Sequence, residues 1–429
     1  MGFDWYLDFV NLDYKPSKTD LIVLFKVKPA KGVSMKEAAG RVASESSAGT
    51  WTTLYKLPKR VRSIMAMAFE IKGDFVKIAY PIDLWEPGNG PQLLSGIAGN
   101  IFGMKALDGL RLMDASFPKV YLKHFKGPNY GIDGMRKILK VEKRPITGAV
   151  PKPKIGYSAE EHAAIGFETW MGGFELVKDD ENLTSTSFNK FEDRARRMMK
   201  ARDKAEELTG NRKSAFLNIT GETKEMIRKA NLLSDLGWEF AMIDVVTAGS
   251  GAVQTMRDVC ADLGLAIHAH RAMHAAFDRN PNHGISMYFL GKFMRMIGTD
   301  TIHVGTAVGK LVGTRYEVEH LANMIRDKNV KKRKDNLEQK WHHIKPMLPV
   351  SSGGLHPGIV PKIMDILGND FGLLVSGGIH GHPKGTRQGA KAAIQAIDAA
   401  MKGIPLNEYA KKHPELRLAL EKWGTATPI

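Results

Sequence analysis

The stretch Gly172-Gly173-Phe174-Glu175-Leu176-Val177-Lys178-Asp179-Asp180-Glu181-Asn182 is a short apolar strand running into a lysine and three consecutive carboxylates. A helical pattern, Phe191 to Leu208, follows it. The same strand, loop, helix unit recurs from about residue 126 onward. Further strand candidates are Ile146–Val150, Ala215–Ile219, Phe240–Asp244, Ala266–His270, Thr301–Val304, Met347–Val350 and Leu373–Ser376, with Glu175–Val177 in the quoted stretch. Helical patterns lie between most of them, Thr223–Leu236 being another clear case. About eight such units in about 300 residues are the expectation for a closed parallel (β/α)8 barrel. A doubly wound open sheet is the alternative, but no G-x-G-x-x-G follows an early strand to support it.

Residues 1 to about 125 lack this rhythm and read as an α+β domain. Leu21–Val27 and Val76–Tyr80 are strand candidates, and Ser34–Ser46 reads as a helix. Ser34 with Glu37 three residues on is a capping-box pattern. Gly88–Gly99 reads as a Gly/Pro-rich loop leading into helical sequence. The expected organisation is therefore an N-terminal α+β domain over 1–125 and a barrel over 126–429.

Composition bounds the function. The chain has 429 residues, 43% apolar and 25% charged, as expected of a soluble two-domain protein. A single cysteine, Cys260, excludes an intrachain disulfide and fits a reducing cytoplasm. No run of about 18 apolar residues is present, so no membrane span is expected. Met1-Gly2-Phe3-Asp4-Trp5-Tyr6 lacks the basic-then-apolar order of a signal peptide. The net charge of +16 raises nucleic-acid binding, but the basic run Lys328 to Lys334 holds no interleaved aromatics. Lysine-rich helix faces, with some basic groups gathered for a small anionic substrate, are the expected reading, and no nucleic-acid partner is expected.

Barrel enzymes place their chemistry at the C-terminal ends of strands, and unusual residues cluster there. Residues i and i+2 of a strand share a face, so Lys178 and Asp180 point the same way and Glu181 joins them where the strand ends. Two carboxylates suit a hard cation such as Mg²⁺ only if further oxygen ligands appear; ordinary capping of the next helix is the alternative. Lys152-Pro153-Lys154 follows the first barrel strand. Proline keeps Lys152 extended, and two ammonium groups held close suit one to proton transfer and the other to clamping an anion. His268-Ala269-His270-Arg271, with His274, could suit zinc, but arginine beside histidine better suits phosphate.

His303-Val304-Gly305 leads into Thr306-Ala307-Val308-Gly309-Lys310-Leu311-Val312-Gly313. It is one residue too short for a P-loop and lacks the Ser/Thr that would hold Mg²⁺. Three glycines around one lysine suggest instead a lid that carries Lys310 onto a substrate. Ser351-Ser352-Gly353-Gly354 and Ser376-Gly377-Gly378 end the last two strands, where small residues with exposed backbone N–H groups cradle phosphate. With Arg271, His303 and Lys310 they allow two anion sites, hence a bisphosphate.

Taken in order, these segments resemble the large subunit of ribulose-1,5-bisphosphate carboxylase/oxygenase, nearly end to end. Glu45-Ser46-Ser47-Ala48-Gly49-Thr50-Trp51-Thr52-Thr53 and Gly99-Asn100-Ile101-Phe102-Gly103 carry the resemblance in the first domain. Lys152–Lys154, Lys178–Asn182, His268–His274 and Gly305–Gly313 carry it in the second. Gly378-Ile379-His380-Gly381-His382-Pro383 looks like the archaeal type, form III. The resemblance implies a ferredoxin-like N-terminal domain and a catalytic barrel. It implies that CO₂ adds to Lys178 to give N6-carboxylysine, which holds one Mg²⁺ with Asp180 and Glu181. Catalytic roles fall on Lys152, Lys178, His270, Lys310, Glu45 and Asn100. Arg271, His303 and Ser352 would hold one phosphate. Gly354, Ser376, Gly377, Thr50 and Trp51 would hold the other, with Gly353 and Lys154 also lining the substrate.

Glu45, Thr50, Trp51 and Asn100 would complete the neighbouring subunit's site, which implies a homodimer or a multimer of dimers with no small subunit. The implied reaction joins ribulose 1,5-bisphosphate, CO₂ and water into two 3-phosphoglycerates, with O₂ as a side reaction, in nucleotide (AMP) salvage. A related enolase or isomerase of sulfur salvage is the alternative. Many members carry Thr where this chain has Val150, and Gly where it has Ser376.

Overall fold

In a computed structural model, which describes residues 4–52, 56–308 and 314–427, the chain forms two units. The first contains the residues up to Gly127 with Met273–Ile297 and Asp327–Ile344; the second contains Pro128–Ala272, Gly298–Arg326 and Lys345 onward.

The first unit is built on a five-stranded sheet: β1 (Leu21–Pro29), β2 (Met67–Lys72), β3 (Phe75–Tyr80) and β4 (Leu107–Ser116) are antiparallel in the order β4-β1-β3-β2, and the short strand Gly284–Ile285 pairs in parallel with the outer edge of β4. In β1, Leu21, Val23, Phe25 and Val27 repeat every second residue and are fully buried. Helix Met35–Glu45 starts where Ser34 Oγ accepts the Glu37 N–H at 3.1 Å. The Glu37 carboxylate turns to Arg41 at 2.8 Å, so the capping box forms only on its serine side.

Gly90–Ile97, read above as a loop, is a helix. Asn89 caps it by accepting the Gln92 N–H at 2.9 Å, and Pro91 sits in its first turn, where a missing N–H costs nothing. Two later segments join this unit through Asp114 of β4. Lys292, on helix Met287–Ile297, is fully buried with its Nζ 2.9 Å from Asp114 Oδ1. The Leu337 N–H donates to Asp114 Oδ2 at 2.7 Å.

The second unit is a closed barrel. Its strands are β5 (Ile146–Ala149), β6 (Leu176–Lys178), β7 (Ser214–Asn218), β8 (Phe240–Asp244), β9 (Ala266–His270), β10 (Thr301–His303), β11 (Leu348–Ser352) and β12 (Gly372–Leu374). They pair in parallel in chain order, and β12 returns to β5. Each strand expected from the sequence is present, shifted by a residue or two at most. The first residues of β5, β6, β8, β9 and β11 (Ile146, Leu176, Phe240, Ala266 and Leu348) form one apolar cluster with Met135, Leu139 and Val141. Apolar packing therefore fills the end where the strands begin and leaves the opposite end to polar side chains. Among the described residues no helix is long and apolar enough to cross a membrane.

Asp300 ties this lower end together. Fully buried ahead of β10, it accepts N–H bonds from Tyr130 (2.6 Å), Gly131 (3.0 Å) and Ile267 (2.8 Å). It thereby joins the start of helix Gly131–Leu139 to β9. Asp300→Ala would strand three buried donors and should cost about 3 kcal/mol. Denaturant midpoints check this; a change below about 0.5 kcal/mol, the range of ordinary surface substitutions, would refute it.

Candidate active site

The strand ends opposite the apolar cluster carry the titratable groups. At the end of β6, Lys178 is almost fully buried, and Asp180 is buried beside it. Burial pulls the Lys178 ammonium below its ordinary range, against the raising pull of Glu181, Asp180 and Asp244. Burial thereby shifts the amine toward its neutral form, the only form that is a nucleophile. Lys178 Nζ donates to the Asp179 carbonyl at 2.9 Å.

Asp179 turns the other way, into a pocket without solvent. Its Oδ2 accepts from Arg194 Nε at 3.1 Å and from the Asn218 N–H at 2.9 Å, with Arg194 Nη2 2.9 Å away in the ion pair. His162 Nε2 lies 3.2 Å from Oδ1. Burial alone would raise the Asp179 carboxyl, but Arg194 and His162 outweigh it and hold it below the usual carboxylate range. Arg194, on helix Phe191–Thr209, also donates to the Thr184 carbonyl (2.8 Å) and Asn189 Oδ1 (2.9 Å). Asn218 Nδ2 lies 3.3 and 3.2 Å from the carbonyls of Asp180 and Glu181. The loop that presents the two carboxylates is thus pinned from behind.

Around this centre, Lys152 Nζ lies 3.4 Å from Asp180 Oδ2. His270, ending β9, has Nε2 3.7 Å from Glu181 Oε2 and Nδ1 3.0 Å from Asp244 Oδ1. Asp244 was not singled out in the sequence, although as the last residue of β8 its strand-end position marks it. Burial pushes its carboxyl up to about 6, with Glu181 adding to the rise.

On the far side a chain of buried polar groups runs outward. Thr301 Oγ1 is 2.6 Å from His268 Nδ1, His268 Nε2 is 3.1 Å from His303 Nε2, and His303 Nδ1 is 2.8 Å from Ser352 Oγ. Burial drives both histidines well below their ordinary range, so both are neutral. Arg271 is half-buried at the mouth, where a Cβ added to Gly305 would stand 3.4 Å from its Nη2. Gly353 and Gly354 adopt φ of +112° and +74°, which only glycine takes without strain. Gly377 is exposed, with open space where a side chain would project. The Ser376 hydroxyl accepts the Val150 N–H at 2.9 Å. Lys154 is exposed beside Lys152.

Four of the expected residues lie in the first unit. Glu45 ends its helix exposed, Thr50 is half-buried, Trp51 is 69% exposed, and Asn100 opens a turn at Asn100–Gly103, exposed. The segment before Trp51 is tightly set: Ser46 Oγ bonds Tyr80 Oη at 2.8 Å, and a Cβ on Gly49 would collide with Ser44 Oγ at 1.6 Å. Lys310, with Gly309 and Gly313 of the expected lid, and Thr53 lie outside the described residues.

The donor set at β6 has a definite character. Among the described residues no group of three His, Cys, Asp or Glu side chains is placed to hold a metal ion. Asp180 and Glu181 supply two hard oxygen ligands, and a third must come from elsewhere. A neutral Lys178 that acquires a carboxylate by adding CO₂ fits that requirement.

Residues 131–423 match the model for the ribulose bisphosphate carboxylase large chain, catalytic domain, and residues 8–121 match the N-terminal domain of the same chain. The chain belongs to the ribulose bisphosphate carboxylase large-chain family. It is 52% identical to the ribulose bisphosphate carboxylase of Pyrococcus abyssi, with 100% of this chain and 99% of that one covered. Against the enzyme of Archaeoglobus fulgidus it is 49% identical, covering 100% and 99%. Among solved structures it superposes on the dimeric archaeal Rubisco from Hyperthermus butylicus with a TM-score of 0.94 at 48% identity, covering 98% of this chain and 100% of that one. The sulfate complex of the octameric enzyme from Pyrococcus horikoshii gives 0.92 at 50% identity, covering 100% and 99%. The family is one of carbon–carbon lyases, so this chain is an enzyme of the carboxylase class.

The buried pair behind the site gives a stability test. Arg194→Met leaves the Asp179 carboxylate buried without its cation and should destabilise the fold by about 3–5 kcal/mol. The double variant Arg194→Met/Asp179→Leu should recover at least half of that loss in denaturant titrations. A double variant no better than the single would mean that the charge pairing is not what matters.

Proposed function

We propose that the chain catalyses the Mg²⁺-dependent carboxylation of ribulose 1,5-bisphosphate to two molecules of 3-phosphoglycerate, with O₂ as a competing reactant. The observation that carries this reading is a lysine amine, desolvated and biased to neutrality, sitting among carboxylates at a barrel mouth. Lys178 Nζ adds to CO₂, loses a proton and becomes a carbamate, an anionic oxygen ligand. With Asp180 and Glu181 it would hold the Mg²⁺. When bound, the ion supplies Lewis acidity to the sugar's C2 carbonyl and C3 hydroxyl oxygens.

The chain's own groups do the rest. The carbamate of Lys178 takes the C3 proton. Lys152, within reach of Asp180, handles protons at the enediol and at the final product. His270, held between Asp244 and Glu181, serves hydration and cleavage as a proton carrier. Lys310 stabilises the new carboxylate electrostatically.

Arg271, His303 and Ser352 hold one phosphate. Because both buried histidines are neutral, each has one proton to place, and the relay from Thr301 to Ser352 has two consistent directions. With an anion at the mouth, the favoured one has His303 Nδ1–H donating to Ser352 Oγ, which frees the Ser352 O–H for the anion. Gly353, Gly354, Ser376 and Gly377, with Thr50 and Trp51, form the second phosphate site, and Lys154 adds positive charge. Glu45, Thr50, Trp51 and Asn100 act in the site of a second copy of the chain, a reading supported by the exposure of Trp51 and by the dimeric and octameric relatives. On the resemblance to the archaeal type, the substrate is drawn from nucleotide breakdown.

Purified protein incubated with Mg²⁺ and bicarbonate, then given ribulose bisphosphate and labelled CO₂, should form labelled phosphoglycerate; a well-folded sample that forms none sinks the reading. Lys178→Ala should abolish turnover with the fold intact. Shared sites make a sharper prediction. Co-expressed Glu45→Gln and Lys178→Ala chains, each inactive alone, should regain about a quarter of wild-type activity, because half the random dimers carry one intact site. No recovery in verified mixed dimers would place Glu45 and Lys178 of one chain in the same site.

A further inference from the structure

The barrel ladder stops short of Lys152. At the mouth end of β5 the last paired residues are Gly148 with Leu374 on one side and Ala149 with Val177 on the other. The Val375 N–H still donates to the Gly148 carbonyl at 3.0 Å, but the chain then turns into the short helix Gly377–His380. Backbone pairing thus ends before Val150, two residues ahead of Lys152. A lysine on an unpaired extension would be poorly fixed, yet its Nζ must be held close to the reacting carbons.

Two side chains continue the ladder where the backbone cannot. Ser376 Oγ accepts the Val150 N–H at 2.9 Å. His380 Nε2 lies 3.0 Å from the Val150 carbonyl, and His380 Nδ1 lies 3.0 Å from Thr386 Oγ1. A carbonyl can only accept, so Nε2 carries the proton and Nδ1 accepts from the threonine hydroxyl. Burial drives the His380 ring down to about 4, which keeps this single tautomer at neutral pH. Both peptide groups of Val150 are therefore gripped from one helix turn. A third hold lies beyond the lysine, where Tyr157 Oη donates to the Lys152 carbonyl at 2.9 Å.

We propose that Ser376 and His380 are positioning residues for Lys152: their side chains grip the Val150 backbone and so fix where the lysine amine stands. This rests on the carboxylase reading above, in which Lys152 moves protons. It gives the Ser376 hydroxyl a role distinct from phosphate binding, since it accepts from Val150 through a lone pair and keeps its own O–H for an anion.

The test uses the full-length enzyme, activated with Mg²⁺ and bicarbonate, as wild type, Ser376→Ala, His380→Ala and His380→Gln. Glutamine retains an N–H donor for the Val150 carbonyl. Both alanine variants should lose about tenfold to a hundredfold in kcat, with KM for ribulose bisphosphate changed less than about threefold. His380→Gln should recover most of the loss. Amide hydrogen exchange of the peptide spanning Val150, measured on the folded variants, should speed up in Ser376→Ala. A raised KM with kcat unchanged would make these residues phosphate ligands only and overturn the proposal. Wild-type kcat in both alanine variants, with faster exchange at Val150, would overturn it too, by showing that the grip exists without reaching Lys152. A wild-type enzyme that fixes no CO₂ defeats the function itself, which is a separate result.

Discussion

Asp179, directly between Lys178 and Asp180 in the chain, forms a charge pair with Arg194 that has no solvent exposure. Two buried ions are costly unless every lone pair and donor is used. Here the Asn218 N–H adds to Arg194 on one carboxylate oxygen, His162 stands 3.2 Å from the other, and the Thr184 and Asn189 oxygens take further guanidinium hydrogens. The pair therefore has one arrangement, and that arrangement commits Asp179 to the back of the loop. Its neighbours on either side are left to face the barrel mouth. Lys178, Asp180 and Glu181 owe their convergence to a residue that takes no part in the chemistry.

The same division of labour recurs at the other strand ends. Groups that face the barrel mouth are carried on extended backbone, and the fixing is done one layer behind. His270 stands 3.0 Å from Asp244, Ser352 is bonded to His303, and Val150 to Ser376 and His380. Each supporting contact crosses from one strand end to another, so the mouth is held as a ring rather than as eight independent tips. This explains why short strands suffice: β6, β10 and β12 have three residues each, and side chains complete what their ladders lack.

Much of this was legible in the sequence, and the limits have physical causes. The barrel strands carry continuous apolar runs because both faces are buried, and turn residues bound them clearly. The charged residues stood out because nothing in such a run explains them. The Gly90–Ile97 helix was hidden because Gly and Pro at a helix start look like a loop until the Asn89 cap is counted. The attachment of Met273–Ile297 and Asp327–Ile344 to the N-terminal sheet was illegible, because it depends on contacts distant in sequence, such as those of Lys292 and the Leu337 N–H with Asp114, 178 and 223 residues away, and Lys292 by itself reads as an ordinary polar residue of an amphipathic helix. Ser376 was readable as a phosphate-loop serine, but its bond to Val150 spans 226 residues, and no local pattern encodes it.

The electrostatics of the mouth follow from what burial permits. A bisphosphate brings several negative charges, and the simple answer would be a barrel lined with cations. The interior instead uses neutral histidines, His268 and His303, because a fully buried imidazolium would pay a desolvation cost that no partner there offsets. Beside those histidines, positive charge stands nearer the rim, on Arg271, Lys152 and Lys154, where partial solvation makes it tolerable. The buried histidines contribute direction instead: a neutral ring donates at one nitrogen and accepts at the other, so an anion at Ser352 orders the relay back to Thr301. On the proposed phosphate site, affinity for the anion is thereby separated from stability of the barrel core.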